Sequence, residues 1–579
     1  MRPSRTVVAL LAAASLLLAG CSGGREAQQT GPSADSGVQL DQDGFAVHTG
    51  EAKRGGTIRV LGQPEFSHLD PAMGNDGGVN NFYRLIYRTL VTPANETGPG
   101  GTKIVPDLAT DTGRPNEDAT EWTYTLKDDI FFEDGTPITA ADIKYGLERS
   151  MDPALRIGSD FHVEFLEGAK DYKGVYQDPD GLDSIEVVDE KTITFHLNRP
   201  VAYFPVVAMT PPFTPFPKDK VADPRQIDEK PIASGPYKLE SYQRGSKLTL
   251  VRNDQWKPET DDVRPALPDS YEFLFGIDDA TVDERMLAAQ GEDANAVGVY
   301  SVQPATLAKI QTPELKARTI RDHPSCTFYL FLNMAKKPLD DLRVRQAINY
   351  AIDKQSVVTV TGGPLVTQVA TDMLLPNVPG REEFDLYPTP DHKGDVEKAK
   401  QLLADAGYPD GFKVTMDVRG LPKWRAQSEA IQASLAKVGI QAELNVIDAS
   451  TYYEVIQTTA KQHEIGITGW CGGGQTGETL LAPLFDGDRL YPTGNNNNSQ
   501  LDDPKINQRF DEIARMSDID QQNAAISQLN REIMELAPVV PLVRDTPLQL
   551  IGPNVGGAFA HAGMTGYVDL TSLGLKNPG

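Results

Sequence analysis

Residues 469–478 read Gly-Trp-Cys-Gly-Gly-Gly-Gln-Thr-Gly-Glu and hold the densest chemical signal in the chain. Gly472, Gly474 and Gly477 satisfy G-x-G-x-x-G after a strand-like run from His463 to Trp470, which is the spacing of a dinucleotide cradle. Cys471 against the same glycines raises a second possibility, a reactive thiol, and the wall of a binding pocket is a third. A dinucleotide site needs a second strand after the helix with an acid near its end. Here Pro483 interrupts, and Asp486-Gly487-Asp488 leads into the polar run Asn495 to Asn498. Gly20-Cys21-Ser22-Gly23-Gly24 matches the G-x-S-x-G elbow of hydrolases but lacks the strand–turn–helix setting that the motif requires. His463-Glu464 has no second histidine to complete a zinc motif, and the eight histidines are scattered. The residues therefore point to no metal, no cofactor and no catalytic centre, and at this point the glycine loop stays open between a pocket wall and a setting for a thiol.

The chain start carries its own chemistry. Arg2 and Arg5 precede an apolar run from Val7 to Ala19, too short to span a bilayer as a helix and right for a secretory signal. Leu18-Ala19-Gly20-Cys21 resembles the lipobox of bacterial lipoproteins, which implies a signal peptide over 1–20 and a lipidated Cys21. Residues 21–54, rich in Gly, Ser, Gln, Asp and Glu, read as a disordered tether reaching about 30 Å. The expected location is the outer face of the cytoplasmic membrane, held by lipid. A formal net charge of −26 argues against a nucleic-acid partner. With Cys21 lipidated, Cys326 and Cys471 remain in an oxidising compartment, either as a disulfide or as two separate buried thiols.

The elements that must position these residues change character along the chain. Asn80 to Val91 has helical apolar spacing, and Trp122, Tyr124 and Leu126 alternate as in a half-buried strand. Thr139-Ala140-Ala141-Asp142 is a capping box for a helix to about Met151. Ser184 to Val188 with Thr192 to Leu197, and Tyr237 to Tyr242 with Lys247 to Val251, read as hairpins. Beyond Phe328 strands alternate with helices: Asp341 to Asp353, Asp395 to Ala406 and Lys423 to Val438 are helical, while Lys413 to Val418, Gln441 to Ile447 and Glu464 to Trp470 are strands. That order predicts an α/β lobe with a largely parallel sheet.

Several stretches together resemble the extracytoplasmic solute-binding proteins of ABC transporters, family 5, the peptide- and nickel-binding group. They are Gly55-Gly56-Thr57 with Leu69-Asp70-Pro71, Trp122 to Leu126, Asp134-Gly135-Thr136-Pro137 through Arg149, Ser234-Gly235-Pro236-Tyr237, Leu342 to Ile348 and Ala399 to Gly407. They stand in the family's order across residues 55–579.

The resemblance implies an α/β fold of two lobes, of the periplasmic-binding-protein (Venus flytrap) type, with an inserted subdomain and a ligand between the lobes. Lobe I would combine 55–98, 200–325 and 540–579, the subdomain 99–199, and lobe II 326–539, with crossings near Ser325 and Val540. It implies a monomeric receptor without enzymatic activity, passing a peptide or peptide-like solute to a permease and its ATPase. Binding of a neutral solute such as an oligosaccharide or metabolite, or a role as a sensor or chaperone lipoprotein, is the alternative. It also implies a Cys326–Cys471 disulfide and ligand contacts from Asn75-Asp76-Gly77, Tyr453, Trp470, Gly472, Gly473, Gly474 and Glu478. At the position of Gly473, peptide-binding members carry the aspartate that holds the ligand's α-ammonium, so this chain departs from the family where charge matters most.

Overall fold

The computed structural model describes residues 37–579 apart from 63, 64, 67, 75, 76, 156–160, 322, 323, 325, 449, 450, 472–475 and 565. The expected signal peptide and Cys21 lie outside these residues.

Four apolar clusters organise the described chain, one of them gathered around Phe45, Leu61 and Leu548. The first lobe is built on a five-stranded sheet in the order Tyr237–Gln243, Lys247–Arg252, Ser270–Leu274, Thr57–Leu61, Ala296–Gly298. The predicted hairpin supplies its antiparallel end, and the last three strands are parallel. Phe66, Phe82, Phe273 and Phe275 stack beneath this sheet. Beside it lies a four-stranded sheet of Val38–Leu40, Ala46–Thr49, Thr319–Arg321 and Leu548–Leu550.

That second sheet corrects the reading of 21–54 as tether throughout. Val38, Leu40, Phe45 and Val47 belong to a folded hairpin, and Phe45 and Ala46 are fully buried. The Lys316 ammonium and Arg321 guanidinium lie over the Phe45 ring at 5.0 and 4.8 Å, while Arg321 also binds Asp41 and Asp43. Two cations stack on one buried ring and two carboxylates hold one of them in place, which fixes the hairpin to the lobe.

The subdomain's four-stranded antiparallel sheet has the order Arg114–Pro115, Glu121–Thr125, Thr192–His196, Ile185–Val187. The predicted capping box opens its helix Ala140–Ser150: the Asp142 carboxylate accepts from the Thr139 N–H at 2.8 Å and from the Thr139 hydroxyl at 2.7 Å. Its core reaches past the expected 99–199 in both directions, taking in Leu90 and Val91 before and Val201 to Phe213 after. Buried ion pairs tie it to the first lobe. Arg149 grips Asp70 bidentately at 2.9 and 2.6 Å, with both side chains fully buried. Arg88 and Arg264 converge on Asp107 and Asp261 in a second buried cluster.

The second lobe holds a six-stranded sheet in the order Thr367–Val369, Val539–Asp545, Cys326–Leu332, Ile465–Cys471, Lys413–Arg419, Gln441–Ile447. The expectation of a largely parallel sheet fails here. Lys413–Arg419 runs parallel to both neighbours, but the other pairs are antiparallel. The reason is topological, since the strands entering and leaving the lobe lie side by side and must run in opposite directions. Arg321 pairs with Leu548 in one sheet, and Cys326 pairs with Asp545 in the other. The chain thus leaves the first-lobe sheet after Arg321 and returns to it after Asp545, through Thr546-Pro547. The return crossing therefore follows Asp545 rather than Val540. Paired crossings that run in opposite directions between two sheets are the form a hinge takes.

Candidate functional site

In an open α/β sheet, ligands bind beyond the carboxyl ends of the parallel strands. In the second lobe that edge is formed by Arg419, Ile447 and Cys471, joined by Cys326 and Asp545 from the hinge strands. Cys326 and Cys471 face each other across the ladder and form a disulfide, spanning 145 residues of sequence. Cys471 is thus no free thiol, and the bond fixes the strand that carries Trp470.

Aromatic rings and cations alternate along this edge. The Arg419 guanidinium lies over the rings of Tyr453, at 4.9 Å, and Trp424, at 5.6 Å. Lys423 lies over Phe328 at 4.6 Å and forms an ion pair with Asp545. Burial raises the Asp545 carboxyl above its ordinary pKa, and the Lys423 charge opposes that rise. Trp470 and Thr327 are register partners, so their side chains share one face of the sheet. The Trp470 indole N–H and the Thr327 hydroxyl are both buried, and neither has a hydrogen-bond partner among the described residues. An unmet buried donor costs about 1–3 kcal/mol, so the pair is a place where an acceptor-bearing ligand gains.

The structure distributes the expected site residues unevenly. Tyr453, in the helix Tyr452–Ile456, and Trp470, in the strand Ile465–Cys471, belong to this one edge. Gly77 opens the helix Gly77–Ile86 of the first lobe. Beside it Gly78 and Asn81 line a narrow recess with Val299, Gln549 and Tyr567. Tyr300 and Tyr567 meet edge-on at 6.3 Å on the same lobe. Asn75, Asp76, Gly472, Gly473 and Gly474 lie outside the described residues. Glu478 is placed elsewhere. It is 3% exposed in the helix Gly477–Phe485, and its carboxylate is 3.9 Å from the Arg489 guanidinium, at the seam with the inserted subdomain.

That seam borders an open cavity of about 740 Å³. Glu164, Lys170 and Arg199 line it from the subdomain, and Glu478, Asp486, Arg489, Tyr491 and Arg515 from the second lobe. Among the described residues there is no cluster of His, Cys, Asp and Glu able to hold a metal ion, and no helix long and apolar enough to cross a membrane.

Comparison with known proteins decides the family. Residues 103–491 match the model of the bacterial extracellular solute-binding proteins, family 5 (middle). The chain belongs to this solute-binding family. A solved structure, the clavulanic acid biosynthesis oligopeptide binding protein 2, superposes with a TM-score of 0.86 at 30% identity, covering 94% of this chain and 99% of its own. Heme-binding protein A of Haemophilus influenzae is 25% identical over 570 residues, covering 94% of this chain and 95% of the relative. The dipeptide-binding protein of Pseudomonas aeruginosa is 25% identical over 536 residues, covering 86% and 94%. The two-lobe α/β solute-binding fold is thereby established, and these relatives are named as binding proteins rather than enzymes.

Within this family fold, sequence reasoning missed Arg419, Lys423, Asp545, Glu164 and Arg489. Arg419 follows the predicted strand Lys413 to Val418 and ends the observed one, and a cation at that position was the available signal. The others are ordinary polar residues until the topology brings their partners beside them.

Proposed function

We propose that the protein is a lipid-anchored extracytoplasmic receptor that captures a peptide or peptide-like solute between its lobes and delivers it to an ABC importer. The observation that carries the ligand chemistry is the donor-bearing edge of the second lobe. Trp470 presents a buried N–H, unpartnered among the described residues, and Asp545 is neutralised by Lys423. Glycine stands at 473, where the family resemblance implies an aspartate for the α-ammonium. A free ammonium enclosed without an anion is costly, whereas carbonyl and carboxylate oxygens suit the donors present. The favoured ligand is therefore a peptide-like compound whose amino end is blocked or absent. The family membership, and relatives named for dipeptides, oligopeptides and heme, support a receptor of this kind.

The test is a thermal-shift panel on the intact protein, together with mass spectrometry of any co-purified molecule. An N-acetylated tripeptide is expected to raise the melting temperature more than its free-amino counterpart, because ligand binding stabilises the native state by mass action. Gly473→Asp should reverse that order, and Trp470→Phe should reduce the shift without lowering the unliganded melt. A shift with saccharides and with no peptide would establish the neutral-solute alternative instead.

A further inference from the structure

The inserted subdomain touches its two neighbours in different ways. Toward the first lobe it is locked by the buried Arg149–Asp70 pair and the Arg88, Arg264, Asp107 and Asp261 cluster, so the two move as one body. Toward the second lobe the contact is polar and borders the 740 Å³ cavity. Permanent interfaces are apolar and close-packed, whereas a polar, open seam suits contacts that form and part.

One residue centres this seam. Arg489 of the second lobe pairs with Glu164 of the subdomain at 2.8 Å, and lies 3.3 Å from Asp486 and 3.9 Å from Glu478. Burial opposes its charge, but these three carboxylates override that and raise its pKa above the ordinary value. The subdomain's Tyr203 hydroxyl is buried against Glu478, and its pKa is raised first by burial and then by the charge of Glu478. Arg199 of the subdomain, whose guanidinium lies 4.8 Å over the Phe165 ring, donates to the Ala514 carbonyl of the second lobe at 3.1 Å.

We propose that Arg489 is the keystone of a clasp through which the inserted subdomain holds the second lobe, so that closure is set at this seam as well as in the ligand cleft. With the guanidinium present, one cation joins carboxylates contributed by both bodies. Without it, Glu164 keeps only Arg199 of its own body, at 3.7 Å, while Glu478 and Asp486 on the other side lose their shared cation, so nothing bridges the carboxylates across the seam and their like charges favour its opening. Arg489 is thus a positioning residue, acting on ligand capture through the closed state and not by touching ligand. A bias toward closure removes part of the cost a ligand must otherwise meet by populating that state. The clasp rests on the seam alone and stands or falls separately from the ligand chemistry proposed above.

The experiment is small-angle X-ray scattering on the intact protein, comparing wild type, Arg489→Met, Glu164→Gln, the double variant and Arg509→Met. Arg509 pairs with Glu512 and Glu532 within the second lobe and serves as the control. Arg489→Met should increase the radius of gyration, and Glu164→Gln should shift it the same way by less. The double variant should add nothing beyond Arg489→Met, and Arg509→Met should match wild type. Raising NaCl from 0.05 to about 1 M should move wild type toward Arg489→Met, because screening weakens the partly exposed pair. If Arg489→Met misfolds in a thermal melt, Glu164→Gln and the wild-type salt series carry the test. Unchanged radii in the folded variants and across the salt series would overturn the clasp.

Discussion

Replacing Cys326 and Cys471 with alanine tests how the second lobe is held together. The bond joins positions 145 residues apart. Loop-closure entropy for a span of that size amounts to about 5 kcal/mol at 25 °C, an upper figure because measured gains are often smaller. The folded state loses little else. Both cysteines sit in paired strands, and Cys326 is flanked by Cys471 on one side and Asp545 on the other. The effect should therefore fall on the unfolded ensemble, which expands once the staple is gone. Urea unfolding of the double variant should show a lower midpoint and a steeper dependence on denaturant, with a stability loss of about 2–5 kcal/mol. The four tryptophans divide the readout: Trp424 and Trp470 report the second lobe, Trp122 the subdomain and Trp256 the first lobe. A chain with separate cores can unfold in more than one step, and only the Trp424 and Trp470 transition should move. The refuting result is a loss below about 1 kcal/mol with an unchanged slope, in a protein whose denatured, unreduced form has neither Cys326 nor Cys471 free to react with a thiol reagent.

Two further outcomes follow from buried side chains. His561 is fully buried, its Nδ1 accepting from the Gly563 N–H at 3.0 Å, and burial with the nearby Arg84 charge pushes its pKa down to about 4. The unfolded chain binds that proton from about pH 6.5 downward and the native chain does not until about pH 4. The stability present above pH 6.5 is thus lost as pH falls across this window, by up to about 3 kcal/mol, and chemical denaturation of His561→Gln at pH 7 and 4.5 should show a smaller difference than wild type. Phe45→Ala should cost about 3–5 kcal/mol, read as a lower thermal midpoint, because it empties a fully buried site beneath Lys316 and Arg321; a change below 1 kcal/mol would return residues 38–54 to the tether.

What the sequence revealed depended on how far apart in the chain the interacting groups stand. The Thr139–Asp142 capping box and the Tyr237–Gln243 and Lys247–Arg252 hairpin are written within a few residues, and both form as read. The Cys326–Cys471 bond was expected at long range from the family resemblance, since cysteine rarity and compartment alone left two separate thiols open. The hairpin at Val38–Thr49 has too few apolar residues to stand alone, and becomes a sheet when Thr319–Arg321 arrives from far along the chain. The antiparallel hinge strands were invisible for the same reason, since alternating strands and helices say nothing about a strand that returns from the other lobe. The seam is the extreme case. Glu164 and Arg489 are 325 residues apart, and each alone reads as a solvated surface charge. Glycine at 473 is the converse, where a missing side chain carries information because the family resemblance implies an aspartate there. The departure at Gly473 is readable in the sequence because it is a single residue type, whereas the Glu164–Arg489 seam is readable only in the fold because it joins segments far apart in the chain.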